Sequence, residues 1–191
     1  MPGSRSRGRA VILKRRRIFV AGEGVSETSF LAAVQEIANG TLGADVANVH
    51  LVREDLKGGD PLSMAKKAVS AARRDAANRG AHRSLWAFLD ADRTNPVKAA
   101  VEAILAPEGI RLVLQNPCFE GLLLHHFVGR ERAMPATCAD AEAALRTLWP
   151  TYRKPPIVRD IRDRVGVEDL RRYGRIEAAD YADFLSAIGI L

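Results

Sequence analysis

The chain has 191 residues, 47% of them apolar, enough for one ordinary domain or for one domain with a small appendage. No apolar run is long enough for a membrane helix, and residues 10–13 are too short for a signal-peptide core, so a soluble cytoplasmic protein is expected. The formal charge of +6 has its source in the N-terminus, where Arg5, Arg7, Arg9, Lys14, Arg15, Arg16 and Arg17 occur without an acid and leave the rest of the chain nearly neutral.

Residues 1–16 are read as a basic arm. Such an arm suits phosphate backbones through counterion release, and it equally suits a solvated tail. Cys118 and Cys138 lack a paired metal-binding spacing and are expected as free thiols.

Residues 17–21 read as a strand that ends in Gly22-Glu23-Gly24, a turn whose glycines let the backbone bend sharply beside a carboxylate. Ser26 is a candidate cap for a helix over 27–39, with Phe30, Leu31, Val34 and Ile37 on one face. Residues 46–52 form a second strand, and Asn48 and His50 mark it as an edge. Gly58-Gly59-Asp60-Pro61 breaks the pattern, and Pro61 begins a helix reaching to about residue 78, closed by Gly80. Its Met64, Ala65, Ala68, Val69 and Ala72 are expected inward, and Lys66, Lys67, Arg73 and Arg74 outward.

The stretch that organises the chain follows. Leu85-Trp86-Ala87-Phe88-Leu89 suits a central strand buried on both faces, and it stops at Asp90-Ala91-Asp92. A helix over 97–105 and a strand over 110–114 come next. Asn116 and Pro117 then cap and start an apolar helix that ends near residue 127. Strands alternating with helices predict a three-layer α/β sandwich with a mostly parallel central sheet, over residues 17–135. Beyond that the pattern is helical, over 141–149, 158–164 and 178–188. Pro155-Pro156 is the best internal boundary, but the about 35 residues beyond it are too few for a core of their own, so residues 136–191 are read as a helical cap packed on the sheet.

In a parallel sheet the C-terminal strand ends lie on one edge, so Glu23, Asp90, Asp92 and Glu120 are expected to converge there. Crowded carboxylates repel each other, and the usual relief is a hard divalent cation or a raised pKa. Mg²⁺ (or Mn²⁺) suits such oxygen donors. Glu27 reads more simply as a favourable first-turn acid, Glu120 has the same rival reading, and His126 reads as a core histidine. Arg93 and Lys98, just past the Asp pair, are candidates to grip phosphate, as are Arg15, Arg16 and Arg17 of the arm.

Gly22-Glu23-Gly24-x-Ser26-Glu27 with Leu89-Asp90-Ala91-Asp92 resembles the TOPRIM arrangement, a Rossmann-like domain of topoisomerases, primases and certain nucleases. With Asn116-Pro117-Cys118-Phe119-Glu120 and Leu123-Leu124-His125-His126-Phe127, the chain more narrowly resembles the RloB-like family, whose members occur with restriction and phage-defence genes. Two departures are Gly121-Leu122, where that family tends to have a bulky aromatic, and His125, where an aliphatic is common.

The resemblance implies a Mg²⁺-dependent, phosphodiester-cleaving protein acting on DNA or RNA, alongside a defence-system ATPase or restriction subunit. In it Glu23 would be the acid/base or a metal ligand, Asp90 and Asp92 the metal-binding pair, and Glu120 a helper for a second ion. Two other readings stay open. Asp90-x-Asp92-x-Thr94 also spells the motif of HAD-like phosphatases, and a non-catalytic subunit that senses a nucleotide or binds a partner would keep the same fold.

Overall fold

Four short apolar segments pair side by side in a sheet whose strands all run the same way. In this computed structural model, which describes residues 15–41, 48–128, 135–174 and 179–191, they are β1 (Arg16–Gly22), β2 (Val49–Asp55), β3 (Ser84–Asp90) and β4 (Ile110–Gln115). The order is β2-β1-β3-β4 and every pairing is parallel. The expected three-layer α/β architecture is therefore present.

Side chains alternate across each strand, and the two faces build two cores. Trp86 and Phe88 of β3 join Ile18 and Val20 of β1 on one face, while Ala87 and Leu89 join Phe19 and Ala21 on the other. The first face is covered by α1 (Val25–Thr41) and α5 (Phe119–Val128), together with the C-terminal helices α6 (Cys138–Leu148), α7 (Val158–Arg162), α8 (Val167–Gly174) and α9 (Ala179–Ile188). The second face is covered by α2 (Pro61–Arg79) and α4 (Lys98–Leu105). A one-turn helix, α3 (Ala91–Thr94), follows β3 directly.

The C-terminal helices share their core with the sheet: Ile161, Leu170, Tyr181, Phe184 and Ile188 belong to the same apolar cluster as Ile18 and Trp86. Helix α8 was not expected. Its Val167, Leu170 and Tyr173 recur every three residues, but four charged residues stand between them and interrupt the apolar pattern.

Other boundaries differ from expectation for local reasons. Arg16 is the first residue of β1 rather than the end of an arm. The amide of Gly24 is taken by the Glu27 carboxylate at 2.9 Å, and the helix begins at Val25, so Ser26 is not its cap. Residues 1–14, and the first residues of the expected second strand at 46–47, lie outside the described residues. Among the described residues no helix is long and apolar enough to cross a membrane.

The order β2-β1-β3-β4 carries one functional consequence. The chain leaves β1 toward β2 on one side and returns to β3 on the other, so the crevice of a doubly wound sheet opens between the C-terminal ends of β1 and β3. Glu23 directly follows β1, and Asp90 ends β3.

Candidate active site

Each acid reaches this crevice by a different local device. Glu23 sits on the turn after β1, where its Oε2 accepts from the Asp90 amide at 3.3 Å and its Oε1 pairs with Arg93 at 3.0 Å. The same Arg93 donates to the Gly59 carbonyl at 2.6 Å, tying the β2–α2 loop to the site. Gly22 is required just before this turn, because a Cβ there would stand 2.6 Å from Glu27 Cβ.

Asp90 does not cap the short helix that follows it. Its Oδ1 instead accepts from the amide of Phe119 at 3.0 Å, the first residue of α5. The expected cap by Asn116 and start at Pro117 are thereby corrected: α5 begins two residues later, and a long-range carboxylate takes its first amide. The Pro117 carbonyl is engaged by the Asp92 amide at 3.0 Å. Gly121 lets this junction close, since a Cβ there would lie 2.2 Å from the Asn116 carbonyl oxygen. A bulky aromatic at that point would have no room, so Gly121 belongs to this chain's own packing.

The charges are not balanced evenly. Burial, then the neighbouring Glu23, Glu27, Asp92 and Glu120, push the Asp90 carboxyl up to about 8. Burial pushes Glu27 up to about 7, with Glu23 adding to it against the amides that Glu27 accepts. Glu120 goes the other way. Burial would raise it, but the Lys154 ammonium at 2.8 Å and the Tyr152 hydroxyl at 3.0 Å outweigh that and hold its carboxyl low. Lys154 and Tyr152 come from the C-terminal extension, and nothing in the sequence pattern linked them to Glu120.

Two thiols stand close by. Cys138 Sγ lies 3.2 Å from Asp92 Oδ2 and Cys118 Sγ 3.5 Å from Glu120 Oε2. Both are free, and burial raises both, Cys138 to about 11, so they remain protonated hydrogen-bond donors at neutral pH.

The remaining candidates lie elsewhere. Lys98 is exposed on α4 beside Glu102 at 3.6 Å. Arg16 and Arg17 begin β1 and Arg15 precedes it, so all three stand at the opposite edge of the sheet, roughly 20 Å away at about 3.3 Å per strand residue. Arg17 is bound there by Asp75 and by the carbonyls of Arg79 and Gly80. His126 is a core histidine: it stacks on Phe30 at 5.6 Å, meets the Tyr181 hydroxyl at 3.3 Å, and burial depresses it to about 3. The residue that sequence reasoning undervalued is Glu27. Its signal was Gly22, whose missing side chain makes room for it.

The donor set fits a hard divalent cation in kind, because it consists of carboxylate oxygens and because burial and mutual repulsion raise Asp90 and Glu27 even with Lys154 nearby, so that a bound cation would favour their ionised forms. The side chains are not gathered into a cage: among the described residues no three acidic, histidine or cysteine side chains cluster tightly enough to hold a metal ion. Glu23 is turned to Arg93 and Asp92 to Cys138. A parallel α/β sheet with a carboxylate-lined switch-point crevice is thus the class that fold and site define. Comparison with protein-family models, with curated proteins and with solved structures finds no significant match.

Proposed function

We propose that this protein is a divalent-cation-dependent phosphodiesterase of the TOPRIM type, an RloB-like nuclease acting on foreign nucleic acid. The observation that carries the reading is the placement of Glu23, Glu27, Asp90 and Asp92, from sequence-distant segments, in one electrostatic field at the β1/β3 switch point. The quoted motifs support the family, and the parallel sheet supports the domain type.

Asp90, Asp92 and Glu23 would hold the cation, Mg²⁺ or Mn²⁺. When bound, such an ion polarises the phosphodiester and stabilises charge developing on its oxygens. Glu27, with a carboxyl at about 7, is suited to take or return a proton at neutral pH. Arg93, if released from Glu23, would be free to donate to a non-bridging phosphate oxygen. Glu120 stays out of the metal shell, because Lys154 already neutralises it, which favours one ion over two. A HAD-like phosphatase fits less well, since β4 ends in Gln115 rather than an acidic pair and Glu23 would be idle.

One observation favours a second reading, a non-catalytic nucleotide-sensing or partner-binding subunit: Glu23, Asp92 and Asp90 are each already engaged by protein donors. A single experiment separates the two. Single- and double-stranded DNA and RNA are incubated with the parent and with Asp90→Ala, with and without Mg²⁺ or Mn²⁺. Cation-dependent cleavage by the parent alone supports the nuclease. Absence of cleavage by either protein supports the subunit, and identical cleavage by both removes the enzymatic assignment.

A further inference from the structure

A crowded acidic edge repels a polyanion, so a protein that brings a nucleic-acid strand there needs compensating positive charge nearby. One feature beside the site supplies it. A groove of about 410 Å³ runs between the end of β2 and α2, where Lys57, Lys66, Lys67 and Arg74 outnumber the acids Glu54 and Asp55 in the lining, beside Ser63 and Ser70. Helical spacing sets Ser63, Lys67, Ser70 and Arg74 along one side of α2, with Lys66 beside them.

The groove is joined to the acidic crevice by hydrogen bonds. The Leu56 amide donates to the Gly22 carbonyl at 3.0 Å and the Gly58 amide to the Glu23 carbonyl at 2.8 Å. From the groove side, Lys67 Nζ holds the carbonyls of Leu56 and Gly58 at 2.9 and 3.0 Å, and on the site side Arg93 holds that of Gly59. Loop 56–59 is therefore one wall of both. Its backbone is unusual: Lys57, Gly58 and Gly59 all have positive φ, at 62°, 62° and 125°. That conformation is uncommon for a lysine and turns the loop sharply between β2 and α2.

The groove's cations are only partly used. Lys57 pairs with Asp55 at 2.6 Å and Arg74 with Glu54 at 3.0 Å. Lys66 has no ion-pair partner among the described residues, and an ammonium has three N–H groups, so Lys67 keeps one beyond its two carbonyls. Lys66, Lys67 and the Ser63 hydroxyl thus face the groove with donors to spare, whereas the Ser70 hydroxyl donates to the Lys66 carbonyl at 3.0 Å.

We propose that this groove binds the phosphodiester backbone of a nucleic-acid strand and feeds it past Arg93 to the carboxylates, an inference that rests on the nuclease reading and names where its substrate lies. The chemistry is that of backbone contacts, which orient a strand without reading its bases.

The test is fluorescence anisotropy of a labelled 12-nucleotide single strand, as DNA and as RNA. It is measured with Ca²⁺ over a range of salt for the full chain, for Lys66→Gln/Arg74→Gln, and for Arg159→Gln, an exposed cation of α7, as a control outside the groove. Matching melting temperatures establish that the variants are folded. The groove variant is expected to bind about tenfold more weakly and to lose roughly 1.5 from the slope of log K against log salt, at about 0.7–0.9 per cation. The control stays within twofold. Unchanged affinity and slope in the groove variant would overturn the proposal, as would a parent that binds no strand. So would competition by inorganic phosphate or ATP as effective as that of unlabelled strand, which would mark a small-phosphate site. A parent that binds through the groove but cleaves nothing with Mg²⁺ or Mn²⁺ sinks the nuclease reading alone, and a cleaving parent with a neutral groove variant sinks the groove alone.

Discussion

The two edges of the sheet treat a carboxylate in opposite ways. At the N-terminal edge, Asp75 is surrounded by Arg17, Arg79 at 3.4 Å and His82 at 2.7 Å. Burial would raise its carboxyl, but these partners outweigh it and hold it low. At the C-terminal edge, Asp90 is also partly buried and its neighbours are further acids, so it is pushed up to about 8. The contrast is one of partners. A saturated carboxylate is a structural joint, whereas an uncompensated one costs stability and needs another reason to be there.

The largest expected effect breaks the uncompensated edge chemically. Asp90→Ala should lower cation-dependent cleavage by roughly 10³-fold or more, read as single-turnover rate, while leaving the protein folded. Next is the platform beneath that edge. Gly121→Ala places a methyl against the Asn116 carbonyl and should cost about 3 kcal/mol, measured by urea denaturation.

The comparison itself is sharpened by a pair of isosteric changes followed against pH. Asp90 has its folded pKa raised above the unfolded 3.8, so the stability tied to its proton is fully present below pH 4 and is lost as pH rises toward about 8. Asp90→Asn should therefore be more stable than the parent at pH 8.5, on the order of 1–2 kcal/mol, and equal to it near pH 4. Asp75 has its folded pKa lowered, so its contribution is present above the unfolded value and is lost as pH falls through the folded one. Asp75→Asn should be less stable at pH 7, by about 2 kcal/mol, with the gap closing in acid. Thermal melts of the two variants and the parent across pH 3.5–9 check both signs. A last, smaller effect is at Lys154, which is half exposed itself but pairs with the buried Glu120. Lys154→Met leaves that carboxylate to the Tyr152 hydroxyl and the Cys118 thiol and should lower stability by about 1 kcal/mol, while freeing Glu120 to bind a second Mg²⁺, visible as a rise in calorimetric stoichiometry and as recovery of stability in Mg²⁺.

The sequence was legible where the signal was local. Five consecutive apolar residues in β3 split alternately between the two cores, and Asn48 and His50 did mark β2 as an edge. The Gly22-Glu23-Gly24 turn and the Asp90-x-Asp92 stop put the acids on one edge as soon as the strands were seen to be parallel. What stayed hidden depends on partners far away in the chain. The cap of α5 is Asp90 rather than its neighbour Asn116, and the state of Glu120 is set by Tyr152 and Lys154. Glu27 follows a common helix-start pattern, and only the fold shows that it is buried under Gly22. Gly121 looked like a departure from a family pattern, and the fold explains it as a close approach of two backbones.

The most direct test is to follow the Asp90 carboxyl carbon by NMR as pH is varied, in metal-free protein and again with Mg²⁺. An apparent pKa near 8 that drops toward the ordinary carboxylate range when Mg²⁺ is added is the predicted result. A value already near 4 without metal, and unmoved by Mg²⁺, would contradict the claim that Asp90 keeps a proton which a bound cation displaces.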